Sequence, residues 1–135
     1  MDSGLLAAFI GIAAGAVGYW FSMFAMQPIL RFREVRNKVL MDFIYYAQVV
    51  NADGLNDDMQ RLFKERVFAN RTSSAQLHAA INDLPVWYAW CLRRRGLDPT
   101  KAATHLIGYS NTREWDAAHK VENAIRRCLG LPEDL

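Results

Sequence analysis

From residue 3 to residue 30 this chain carries no charged side chain, and that one stretch constrains everything else it can fold into. Its apolar centre, LLAAFIGIAAGAVGYWFSMFAM, covers residues 5–26. Built as a helix it is about 33 Å long at ~1.5 Å per residue, enough to cross a hydrocarbon core of ~30 Å. A chain of 135 residues leaves little protein to cover such a helix on all sides in a water-soluble core. The sequence therefore predicts a transmembrane anchor over residues 1–30.

The glycines fit that reading and exclude another. Gly11, Gly15 and Gly18 match neither the G-x-G-x-x-G dinucleotide fingerprint nor the G-x-x-x-x-G-K-[ST] phosphate loop, and no strand–helix pattern surrounds them. Glycine weakens a water-exposed helix but is common in membrane helices, where it lets backbones approach. Gly4, Ala7, Gly11, Gly15, Gly18 and Ser22, with Ala8, Ala14 and Ala25, fall at spacings of three, four and seven along one helical stripe. Gly11-x-x-x-Gly15 is the signature of close helix pairing, so the expected partner is a second copy of the chain. Tyr19, Trp20, Phe21 and Phe24 gather toward one end, as an interfacial belt does.

Orientation follows from charge. Arg31, Arg33, Arg36 and Lys38 form a basic cluster just after the apolar run, whereas no Lys or Arg precedes it. The positive-inside rule then places the N-terminus outside and the remainder in the cytoplasm of a bacterial cell, anchored in its inner membrane. No basic n-region or A-x-A-like exit marks a cleaved signal peptide. Cys91 and Cys128 are expected as free thiols in a reducing compartment. A formal net charge of +2 gives no electrostatic case for strong nucleic-acid binding.

Beyond the anchor the periodicity is helical throughout, and the fold class is all-α: one transmembrane helix, then a small cytosolic domain of about five to six helices. Residues 31–52 read as a juxtamembrane amphipathic helix, entered through a kink at Gln27-Pro28, with Phe32, Val35, Val39, Phe43, Tyr46 and Val50 on its apolar face. Residues 53–135 form the domain proper. Gly54 ends one helix and Asn56 caps the next, with Asp57 and Asp58 at its positive end. Met59, Leu62, Phe63, Val67 and Phe68 mark its buried side, and the polar run at residues 70–74 predicts an interruption before a new helix capped by Ser73 or Ser74. Pro85 opens a short helix closed by Gly96, and Asp98-Pro99 opens another. Asn111 or Thr112 starts the last, with Trp115, Ala118, Val121, Ile125 and Leu129 on one side and Gly130 at its end.

Candidate chemistry is sparse. Residues 51–58, NADGLNDD, fail the calcium-loop spacing, since its fifth, sixth and twelfth positions would be Leu55, Asn56 and Leu62. His78, His105 and His119 stand on separate helices, and no C-x-x-C, H-E-x-x-H or G-x-S-x-G occurs. Neither a metal nor a cofactor is expected. In VWYAWCLRRRG, Trp87, Trp90, Arg93, Arg94 and Arg95 form a candidate ligand or partner patch for a base and phosphate, lipid headgroups or an acidic protein. The plainer reading puts the tryptophans in the core and the arginines at a helix C-terminus.

The layout is similar to that of small bacterial single-span membrane proteins with a helical cytosolic domain, a likeness of organisation and not of motif. The expected function is a non-enzymatic membrane protein that touches lipid, self-associates and engages a protein partner through its cytosolic helices. Its sharper form is a membrane-perturbing effector of the toxin or phage-defence kind. The alternative is a membrane-anchored sensory module that binds a nucleotide-like or acidic partner through the aromatic–arginine patch.

Overall fold

A computed structural model describes residues 2–49, 56–112 and 114–132, which are helical with no strand among them. The elements are α1 (Ser3–Phe21), a π-helical turn (Ser22–Met26), α2 (Gln27–Tyr45), a 3₁₀ turn (Ala47–Val49), α3 (Asp57–Asp83), α4 (Val86–Arg94), α5 (Pro99–Asn111) and α6 (Trp115–Leu129). The first three run on as one 43-residue helix, Ser3–Tyr45, the one among the described residues long and apolar enough to cross a membrane.

That continuity comes with a widened turn before Pro28. Proline has no N–H, and its ring collides with the carbonyl four residues back, here that of Phe24. The π turn immediately precedes it, and the Gln27 N–H donates to Ser22 O, five residues back. Shifting the ladder by one residue makes room for the ring while the helix carries on.

The domain is an antiparallel bundle of α2, α3, α5 and α6. Arg31 pairs with Asp83, Lys38 Nζ donates to Gln76 and Ser73 Oγ to Asp42, so α3 runs back along α2 toward the apolar helix. Ser74 Oγ donates to Ala103 O, and Arg66 reaches Tyr109 O and Thr112 O, so α5 turns away again. Phe32, Val35, Val39 and Phe43 of α2 are buried, as the periodicity predicts, together with Leu77, Leu106, Ile125 and Leu129. Val50 and Gly54 lie outside the described residues.

Local punctuation holds where backbone chemistry alone sets it. Asn56 Oδ1 accepts from Met59 N at 2.9 Å, and Asp98 Oδ1 from Lys101 N at 3.1 Å with Pro99 at the first helical position. Gly96 adopts φ 78°, and the bonds from Gly96 N to Arg93 O and from Leu97 N to Leu92 O form the left-handed stop that ends α4. Gly130, at φ 68°, ends α6 the same way, with Leu131 N donating to Arg126 O.

Three expectations are corrected. Residues 70–74 do not break α3, which runs 27 residues without interruption. Asn70, Ser73 and Ser74 are buried because short side chains let neighbouring helices approach, and the two serines place their hydroxyls across the interfaces, Ser73 Oγ to Asp42 and Ser74 Oγ to Ala103 O at 2.6 Å. The inward face of α3 is correspondingly displaced: Phe68 points outward and Arg66 is fully buried. Finally, α5 extends to Asn111 and α6 begins at Trp115 after Glu114, with Trp115 exposed while Ala118, Ile125 and Leu129 pack inward.

Candidate functional site

The apolar helix α1 has no buried residue. Every residue of α1 is exposed, and Ala25 is the first buried one among the described residues. A Cβ added at Gly4, Gly11, Gly15 or Gly18 would meet nothing within 4 Å. These glycines therefore have no partner inside the described chain that requires them to be small. Ala7 and Ser22 are likewise exposed, so the small-residue stripe lies open from Gly4 to Ser22, while Ala25, expected on the same stripe, is buried.

The four basic residues after it divide between two directions. Arg31 and Lys38, seven apart, both face α3: Arg31 Nη1 lies 3.3 Å from Asp83 Oδ2, and Lys38 Nζ lies 3.2 Å from Gln76 Oε1. Both line a groove of about 360 Å³ with Glu34 and Val35. Arg33 is exposed and Arg36 half-buried on another face of α2. The sequence cluster is thus not one patch in space. The exposed Arg31–Asp83 pair contributes little to stability.

The α4 helix departs from the plainer sequence reading. Trp87 and Trp90 do not fill the core; each is 52% exposed. Instead Leu92 is buried and Tyr88 packs its ring edge-on against Phe32, at 6.3 Å between centroids. Arg94 folds back over Trp90, its guanidinium carbon 5.0 Å from the ring centroid. Arg93 and Arg95 are also exposed, Arg93 and Arg94 in the last helical turn where the dipole favours cations.

One feature escaped the sequence reading. A groove of about 570 Å³ has Val17, Trp20, Phe21 and Phe24 on one wall and Pro85 and Trp87 on the other. It exists because α3 returns antiparallel to α2 and delivers Pro85 beside the end of the apolar run. No spacing in the sequence links residue 20 to residue 87; the only signal was that both regions are rich in aromatic residues.

The other reactive side chains are dispersed. His78 is exposed, His105 and His119 are half-buried, and His119 stacks on Trp115 at 5.2 Å. Cys91 and Cys128 are unbridged, and burial, followed by the Asp98 charge, pushes the Cys128 thiol up. No group of three or more His, Cys, Asp or Glu side chains able to hold a metal occurs among the described residues.

Inside the bundle, burial raises the Asp42 carboxyl above its ordinary value, opposed by the Lys38 charge and the bond from Ser73. A carboxyl raised by folding stabilises the protein fully below its unfolded pKa, and that contribution is lost as pH rises through the folded value. Asp42→Asn keeps an acceptor for Ser73 and removes the charge. The melting temperature of the variant minus that of the native protein is expected to increase from acid to neutral pH; a pH-independent difference would refute the assignment.

Comparison with protein-family models, curated proteins and solved structures finds no match for the chain.

Proposed function

We propose that the chain is a non-enzymatic single-pass membrane protein that holds its helical bundle at the cytoplasmic surface and assembles with copies of itself through the small-residue face of residues 4–22. The observation that carries this reading is that no residue of α1 is buried: an uncharged helix whose large side chains are all exposed belongs in an apolar solvent, since water penalises every one of them. The core helix of a soluble protein would be covered by its own domain. Arg31 and Arg33 after the run, with none within it, favour a cytoplasmic bundle. The open stripe supports assembly, because a single helix per chain finds close packing only on another chain. The sharper form of the proposal is an effector whose packed helices rearrange and perturb a bacterial inner membrane.

Native electrophoresis in mild detergent tests assembly. The native chain is expected to run as an oligomer, and Gly11→Leu and Gly15→Leu, which place bulk where backbones must approach, are expected to shift it to monomer. Unchanged size in both variants would remove the stripe as the interface. Expression in cells loaded with a membrane-potential dye tests the effector form, which requires depolarisation by the native chain and its relief in Gly15→Leu.

A further inference from the structure

We propose that α4 is a membrane-interface helix, with Val86, Trp87 and Trp90 seated at the headgroup–acyl boundary of the cytoplasmic leaflet and Arg93 and Arg94, on the same side of the helix, against anionic lipid phosphates. The inference rests on residues 3–26 crossing the bilayer, and adds a second contact by which the bundle itself lies on the membrane.

Position supports it first. The antiparallel register of α2 and α3 puts Asp83 level with Arg31, the first charged residue after the apolar run. The chain does not stop there. Pro85 and Trp87 share their groove with residues 16–25, which precede Arg31 by roughly 9–22 Å along the helix at 1.5 Å per residue. Trp87 therefore lies on the apolar side of the first charge, beside Trp20 and Phe24, the aromatic residues that would sit at the interface.

Side-chain chemistry supports it second. Val86 is 81% exposed and Trp87 and Trp90 half-exposed on one side of α4, while Tyr88 and Leu92 on the other side already meet the core. The outward side thus joins apolar Val86, Trp87 and Trp90 to basic Arg93 and Arg94 at its C-terminal end. Tryptophan presents an apolar body with a polar N–H, and arginine a stem with a phosphate-matching fork, the pair of residue types that a lipid interface accommodates. Arg94 stacked on Trp90 keeps the charge at the rim of the aromatic surface.

Lipid quenching of tryptophan separates this inference from the one it rests on. The full chain, with a single tryptophan retained at 20, 87, 90 or 115 and phenylalanine at the other three, is reconstituted in phosphatidylcholine–phosphatidylglycerol vesicles. Acyl chains brominated near the headgroup serve as quencher. Trp115 is the control, exposed like Trp87 but at the N-terminus of α6, the bundle end remote from the apolar helix. Trp87 and Trp90 are expected to be quenched within about a factor of two of Trp20, with Trp115 unaffected. Removing phosphatidylglycerol is expected to reduce quenching at Trp90 and not at Trp20. If Trp20 is quenched while Trp87 and Trp90 behave like Trp115, α4 faces water or another protein copy and the inference falls while the anchor stands. If Trp20 is also unquenched, both fall. A polarity-sensitive label on the exposed Cys91, in a chain with native tryptophans and Cys128→Ser, tests the contact independently: a blue shift on adding vesicles supports it, and the absence of a shift refutes it.

Discussion

Arg66→Ala is expected to lower the unfolding free energy of the bundle by about 4 kcal/mol. Arg66 is fully buried. Its guanidinium donates to Tyr109 O at 3.1 Å and Thr112 O at 3.4 Å, carbonyls at the C-terminal end of α5. Tyr109 O also accepts from Thr112 N at 3.1 Å, so Arg66 adds a charged donor there, and the cation sits at the negative end of the helix dipole. The same group lies 4.3 Å over the Tyr109 ring, which in turn packs edge-on against Phe43 at 5.2 Å. A second buried guanidinium, Arg126, lies 5.5 Å from the Phe43 ring centroid and is bonded at 2.8 Å to Glu122. Truncating Arg66 removes two charge-assisted bonds and a stacked cation together, and leaves a cavity in the contact between α3 and α5. For a bundle of this size the loss corresponds to a fall in melting temperature of about 20 °C for the full chain in mild detergent. Arg66→Lys is expected to recover less than half of it, since a point charge cannot serve both carbonyls and the ring at once. A fall of less than about 5 °C in Arg66→Ala would mean that water replaces the guanidinium at little cost.

The role of Arg66 shows what kind of information a sequence of this type carries. The cap at Asn56, the Asp98-Pro99 start, and the glycine stops at Gly96 and Gly130 were legible because each depends on the backbone within a few residues. The inward faces of α2 and of most of α6 were legible from periodicity. In α3 the same rule misled, because the pattern of apolar residues was read without the neighbours: an arginine that finds two carbonyls, and serines that find Ala103 O and Asp42, are as much interior residues as leucine. Residues 70–74 look like a loop only until α2 and α5 are placed beside them.

The candidate site divides along the same line. The small-residue stripe was visible as spacing, and the structure adds that nothing in the described chain packs on its glycines, Gly4 to Gly18. The groove between Trp20 and Trp87 was not visible, since it needs the return of α3 along α2 to bring residues nearly seventy apart to one level. In α4 two apolar faces compete for the core over nine residues, and periodicity cannot choose between them. In the fold Tyr88 packs edge-on against Phe32 and Leu92 is buried, while Trp87 and Trp90 stay half-exposed.

Placing arginine at both Ile12 and Val17 is expected to release the protein from membranes. The apolar run contains eight Leu, Ile, Phe or Val residues between positions 5 and 26, the remainder being largely small or aromatic. On an insertion scale eight such side chains contribute about −4 kcal/mol in favour of the bilayer, a modest margin for a glycine-rich helix. One arginine near the centre costs about 3 kcal/mol, so two of them outweigh the whole favourable sum. Ile12 and Val17 are both exposed and point in different directions around α1, so the pair cannot be hidden together in one helix contact. Flotation through a density gradient after a carbonate wash makes the comparison, because vesicles rise while aggregates do not. The native chain is expected to float with residues 3–30 still present by intact mass, which separates an anchor from a removed signal segment. The double variant is expected to stay at the bottom or in the soluble fractions. Recovery of the native chain in the supernatant would instead mean that α1 is covered by protein, and the partner to seek would then be a soluble one seated on the same open face.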